Sequence, residues 1–174
     1  MNNLYKSGNL ELRVGITIYP SQDFRIDEVL SKLRDQIQAQ FILLLDTSGQ
    51  VITVQGEHST IDVVSLASLV AGDMSINQEI DRLTSQNQNL SLIMREGCND
   101  YTFISEVGRY LLLFAQVQIG IPLGWARLMI IRASHKIDEI VNSPIAENER
   151  ANFSLSEQKL EEIIDSSLDS LVRE

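Results

Sequence analysis

The chain is short of cysteine, histidine and positive charge, and each shortage closes a route to function. Cys98 is the one cysteine among 174 residues, so no internal disulfide can form, and a reducing, cytoplasmic setting is expected. His58 and His135 are the only histidines. They lie 77 positions apart with no cysteine beside either, which leaves no metal site and no histidine base to argue for. Lys and Arg number 14 against 24 Asp and Glu, a net charge of −10. A surface of that sign repels phosphate backbones and anionic lipid, so neither nucleic acid nor a membrane surface is the expected partner. No apolar run approaches the ~20 residues that span a bilayer. Residues 1–8 carry Tyr5 and Lys6 and no apolar stretch, so no secretory leader is expected. There is no Walker-type loop and no G-x-G-x-x-G, hence no nucleotide site and no expected cofactor.

What remains is ordinary globular material. Hydrophobic residues make up 44% and charged residues 22%, enough apolar surface for one good core. Leu10, Leu12, Val14, Ile16 and Ile18 alternate with other residues at period 2, which predicts a strand halted by Pro20. Ile26, Val29, Leu30, Leu33 and Ile37 then fall at helical spacing, after Ser21 or Asp23 as the cap. Phe41–Asp46 and Gln50–Gln55 flank Thr47-Ser48-Gly49 and read as a hairpin. From about Asp62 to Thr84 the period is helical again, with Leu66, Leu69, Val70, Ile76, Ile80 and Leu83 as the apolar stripe. Three strands are expected near Leu90–Arg95, Tyr101–Glu106 and Tyr110–Val117, with Asn99-Asp100 and Gly108-Arg109 as turns.

Ile121-Pro122-Leu123-Gly124 opens a helix to about Asn142, with Ile130, Ala133, Ile137 and Val141 on one face. Ser143 to Asn152 is polar, contains Pro144 and reads as a linker. Ser154-Leu155-Ser156-Glu157 is a capping box. It starts a final amphipathic helix with Leu160, Ile163, Ile164, Leu168, Leu171 and Val172 as its seam. Hairpins and meanders build antiparallel sheets, and helices must cover them. The expected class is therefore α/β in the α+β sense.

Several motifs invite sharper chemistry. Asp46-Thr47-Ser48-Gly49 resembles an aspartic-protease string, but that chemistry needs two carboxylates sharing a proton, whereas Asp, Ser and Gly are what a tight turn wants. Ser134 and Lys136 are two positions apart on a helix and cannot face each other. Ser68, Ala71, Gly72 and Ser75 share one face of the second helix, beside its apolar stripe. A mid-helix glycine costs about 1 kcal/mol relative to alanine, which points to close approach by another backbone. That approach is either packing, within the subunit or against a twin helix, or part of a partner-docking surface. Trp125 is expected to pack at a helix start. The final helix either packs on its own domain or serves as a docking arm.

"FILLLDTSGQVI" at Phe41–Ile52, "SLASLVAGD" at Ser65–Asp73 and "PLGWARLMIIRASHKIDEIV" at Pro122–Val141 resemble, in that order, the opening hairpin, central helix and last helix of the Roadblock superfamily. With its early helix and separate C-terminal helix, the chain is most similar to the bacterial MglB family. The resemblance implies a five-stranded antiparallel, Roadblock/profilin-like sheet with helices on both faces. Residues 1–20 would be an N-terminal extension with a strand, 21–142 the Roadblock domain, 143–153 a linker and 154–174 the C-terminal amphipathic helix. It further implies a homodimer joined through the central helix and the following strand, by way of Ala67, Met74, Ser91 and Ile93. A Ras-like small GTPase would dock at Ser68, Ala71, Gly72 and Ser75, and its GTP hydrolysis would be stimulated without an arginine finger from this chain. Leu160, Ile164, Leu168 and Leu171 would form a C-terminal arm. The family works in cell polarity and motility as a co-regulator, not an enzyme. The alternative is a Roadblock adaptor that scaffolds a complex and stimulates nothing.

Overall fold

The computed structural model describes residues 9–84 and 92–143. In chain order these form β1 (Leu10–Glu11), β2 (Thr17–Ile18), α1 (Pro20–Ile37), β3 (Ala39–Asp46), β4 (Val51–Gly56), α2 (Val63–Leu83), β5 (Leu92–Glu96), β6 (Asp100–Val107), β7 (Leu111–Gln118) and α3 (Leu123–Val141). β3 to β7 make one antiparallel sheet in the order β4-β3-β7-β6-β5. This is the five-stranded sheet that the Roadblock resemblance implies, with α1 and α3 on one face and α2 on the other.

Strand periodicity assigns side chains to the two faces. On β3, Ile42 and Leu44 join α1 and α3, while Phe41, Leu43 and Leu45 join α2. On β7, Leu111, Leu113, Ala115 and Val117 face the helix pair, and Leu112 and Phe114 face α2. Both central strands are apolar almost throughout because both of their sides are covered. The five α1 residues chosen for their helical spacing, from Ile26 to Ile37, are all buried, as are Ile130, Ala133 and Ile137 of α3.

Two details differ from the sequence reading. The period-2 run from Leu10 to Ile18 is not one strand. It turns at Gly15 (φ +84°) and closes on itself, with Leu12 N donating to Ile16 O at 2.8 Å and Leu10 opposite Ile18. Alternation cannot tell one strand from a short hairpin. Pro20 also does more than stop a strand. It occupies the first turn of α1, behind Tyr19 as the cap, where its missing N–H costs nothing and its fixed φ suits a helix. The fully buried Gln22 then joins two helix ends. Its Oε1 accepts from Tyr19 N at 3.1 Å, and its Nε2 donates to Ile140 O at 2.9 Å and Val141 O at 3.0 Å. No described helix is long and apolar enough to cross a membrane.

Candidate partner-binding surface

α2 begins at a well-made cap. Asp62 Oδ1 accepts from Ser65 N at 3.2 Å, and the Ser65 hydroxyl donates to Asp62 Oδ2 at 2.6 Å. The Ser65 hydroxyl, and then its N–H, hold the Asp62 carboxyl below its ordinary value. The helix rests on the sheet through Ala67, Val70, Ala71 and Met74, a narrow contact made mostly of small or slender side chains. Gly49 in the β3–β4 turn (φ +87°) lets that turn come against α2. A Cβ there would stand 3.1 Å from Ser68 Cα.

The residues expected as the inward stripe of α2 mostly point outward. Leu69 is 72% exposed, Ile76 61%, Ile80 50% and Leu83 71%, whereas Val70 is buried and Leu66 is half-buried. At 100° per residue, 69, 76, 80 and 83 centre on the side of the helix opposite 67, 70, 71 and 74. α2 thus carries two apolar stripes, and Ala67-Val70-Ala71-Met74 is the one the sheet takes. Small residues won because the space between α2 and a sheet lined by Phe41 and Phe114 is filled from the sheet side. Length of the apolar side chain misled the sequence reading, and spacing alone could not choose between the stripes.

This divides the sequence-derived sites. Ala67 and Met74, assigned to a dimer contact, are buried within the chain's own core, as is Ala71, assigned to GTPase docking. They are not surface groups in this fold. Ser68, Gly72 and Ser75 are exposed along one flank of the outward stripe. A Cβ built at Gly72 would meet nothing within 4 Å, so the close approach that a mid-helix glycine suggests is not made among the described residues. Ile93 is half-buried and packs against the α2-side core. Ser91 and the arm residues Leu160, Ile164, Leu168 and Leu171 lie outside the described residues.

On the other flank α2 is fixed to β5 and β6 by polar contacts that sequence reasoning did not find. Asp73 pairs with Arg95 of β5 and accepts from Asn77 Nδ2 at 3.1 Å. Gln78 Nε2 donates to Glu106 Oε1 at 2.6 Å. These orient β5, which pairs with β6 and forms an edge of the sheet. An unpaired edge beside an apolar helix face is a surface that proteins normally cover.

Elsewhere the polar motifs are structural. Asp46 is fully buried. Its Oδ1 accepts from Ser48 N at 2.8 Å, from the Ser48 hydroxyl at 2.7 Å and from Gln50 N at 2.9 Å. One carboxylate oxygen therefore closes the turn. Ser134 is buried with its hydroxyl 2.9 Å from that of Ser105, while Lys136 is exposed. His58 bonds Gly56 O through Nδ1 at 2.9 Å. Among the described residues no group of His, Cys, Asp and Glu is placed to hold a metal ion.

The fold is shared with known structures. MglB from Myxococcus xanthus superposes with a TM-score of 0.63 at 29% identity, over 67% of this chain and 94% of that one. The gliding protein MglB from Thermus thermophilus gives 0.64 at 25% identity, over 71% and 93%. A Roadblock/LC7 domain from Streptomyces avermitilis gives 0.61 over 67% and 98%, at 15% identity, where likeness speaks for the fold alone. No protein-family model matches the sequence, and no curated protein matches it.

Proposed function

We propose that this chain, a Roadblock-superfamily protein most like MglB, acts as a homodimeric regulator that binds a Ras-like small GTPase and stimulates its GTP hydrolysis. The observation that supports this reading is the outward face of α2. Among the described residues, Leu69, Ile76, Ile80 and Leu83 lie beside an open Gly72 and a β5 edge with no outer partner strand. Fully covering a side chain of that size is worth about 1.5–3 kcal/mol, which makes the stripe a strong site for a twin helix. Ser68, Gly72 and Ser75 flank it, small enough for a second partner to come close. Nucleotide and magnesium are held by the GTPase. Catalysis of phosphoryl transfer is mostly positioning and charge stabilisation around the γ-phosphate, so a regulator can act by shaping the GTPase's own loops.

The test is single-turnover GTP hydrolysis by the cognate GTPase with and without this chain. Acceleration is the expected result, and binding without acceleration would make the protein an adaptor. Ser75→Arg should weaken GTPase binding by roughly 2 kcal/mol or more, through overlap and a poorly paired charge, and leave the dimer intact in sedimentation. Loss of the dimer instead would assign this flank to the twin-helix contact. Truncation after Asn142 should leave the melting temperature nearly unchanged and alter GTPase binding or activation, as expected for an arm at residues 154–174.

A further inference from the structure

The opposite side of the molecule has an unpartnered surface of its own. At the start of α3, Trp125 is 45% exposed and Leu128 42%. The indole is not loose, because its Nε1 donates to Gln36 O of α1 at 3.2 Å, so the ring is held with one face outward. A rigid, half-exposed aromatic is the kind of group that anchors an interface at little entropic cost. Positions 125, 128, 132 and 136 fall on one side of the helix, which continues the apolar pair into Arg132 and Lys136.

Between Leu123 and Lys136 there is no carboxylate, although the whole chain has 24. Arg127, Arg132 and Lys136 are exposed, and none is in an ion pair among the described residues. The helix macrodipole does not account for this distribution, since it favours acids in the first turn and bases in the last, and α3 has neither. The surface is an apolar anchor followed by Arg132 and Lys136, and the exposed Glu139 is the first carboxylate on this side of α3, in a protein that is otherwise acidic.

The sequence contains the complement. Residues 154–174 hold Leu160, Ile164, Leu168 and Leu171 at helical spacing, with Glu157, Glu161, Glu162, Asp165 and Asp169 among them. We propose that the outward face of α3 is a docking site for an acidic amphipathic segment, residues 154–174 of a second copy. The apolar seam covers Trp125 and Leu128, and its carboxylates meet Arg132 and Lys136. The contact uses a surface separate from α2. Each copy offers one face and one segment, so two copies close a dimer by reciprocal exchange, and passing the segment onward instead builds rings or chains.

Trp125 is the single tryptophan, so its emission reports this face alone in the full-length protein. Raising the protein concentration should shift the emission to the blue while sedimentation shows growing species. A synthetic peptide of residues 154–174, added to dilute full-length protein, should give the same shift and saturate. The double variant R132E/K136E should weaken the peptide by about tenfold or more, whereas R132K/K136R should keep it. Added salt should weaken it in proportion to its electrostatic share. Leu128→Ser, which changes no charge, should weaken the peptide as well. Two results would overturn the proposal. One is emission that ignores the peptide. The other is a blue-shifted emission that does not change on dilution, which would mean the face is covered without a second copy.

Discussion

The two faces of the sheet are built on different plans. Among the described residues the side under α1 and α3 holds 22 buried hydrophobic residues, with long side chains such as Ile26, Leu30, Ile130 and Ile137 reaching inward from both helices. The α2 side holds 10, and the helix contributes only Ala67, Val70, Ala71 and Met74. The first face is a finished core. The second places its helix on the sheet with small residues and keeps Leu69, Ile76, Ile80 and Leu83 outside. The first helix layer serves stability, the second is the contact layer in the function proposed above, and single substitutions should tell them apart.

The largest contrast is between two isoleucines. Ile130 is fully buried, and Ile130→Ala should cost about 2–5 kcal/mol in a denaturant melt, the transfer loss plus an unfilled cavity. Ile76→Ala removes the same atoms from an exposed site. Its effect on the folding of the isolated chain should stay within roughly 0.5 kcal/mol, while self-association in sedimentation weakens. Equal losses from the two variants would remove the distinction between the faces.

Next comes the turn that holds β3 and β4 at the start of the α2 face. Asp46→Ala deletes the acceptor of three hydrogen bonds and strands donors in a part-buried site, for a loss of about 1.5–3 kcal/mol. Asp46→Asn keeps an acceptor oxygen and should recover most of that loss. An alanine variant that melts like the parent would show that the turn is held by Gly49 and strand pairing instead.

Gly72 gives a smaller effect of opposite sign. Ala has room there and a better helix propensity, so Gly72→Ala should stabilise the isolated chain by roughly 0.5–1 kcal/mol. If another backbone packs against that position in the assembled protein, the same methyl should weaken association or GTPase binding. Stabilisation without such a penalty would mean that no close contact uses Gly72.

These comparisons also separate what was legible in the sequence from what was not. The order of elements, the hairpin turn at Asp46–Gly49 and the core stripes of α1 and α3 could be read because each has one apolar face and unambiguous punctuation. α2 resisted because it has two. A stripe of Leu and Ile looks like core, and nothing local says that Ala67, Ala71 and Met74 are what fits against Phe41 and Phe114. The Asp73–Arg95 pair resisted for another reason, since it joins residues brought together only when β5 takes its place at the sheet edge. Ser68, Ala71, Gly72 and Ser75 were grouped by size alone, a rule that does not tell the buried Ala71 from the three exposed residues.

The smallest effect concerns how α2 begins. Asp62 is exposed, yet the Ser65 hydroxyl and then the Ser65 N–H hold its carboxyl below the ordinary value, against a small opposing effect of burial. A carboxyl lowered by folding stabilises the folded state once the pH is above its unfolded value, about 3.9. That stabilisation is lost as the pH falls through the lower, folded value. Asp62→Ala should therefore lower the melting temperature at neutral pH, and the gap from the parent should narrow steadily as the pH falls below the usual carboxylate range. Because the cap belongs to the helix with the narrower hold on the sheet, amide exchange should rise first in residues 63–66 and leave α1 and α3 unaffected. A gap that stays constant with pH would mean that the neutral Asp62 side chain caps α2 as well as the carboxylate does. Exchange rising equally in all three helices would instead mean that the two faces open together, against the division drawn here.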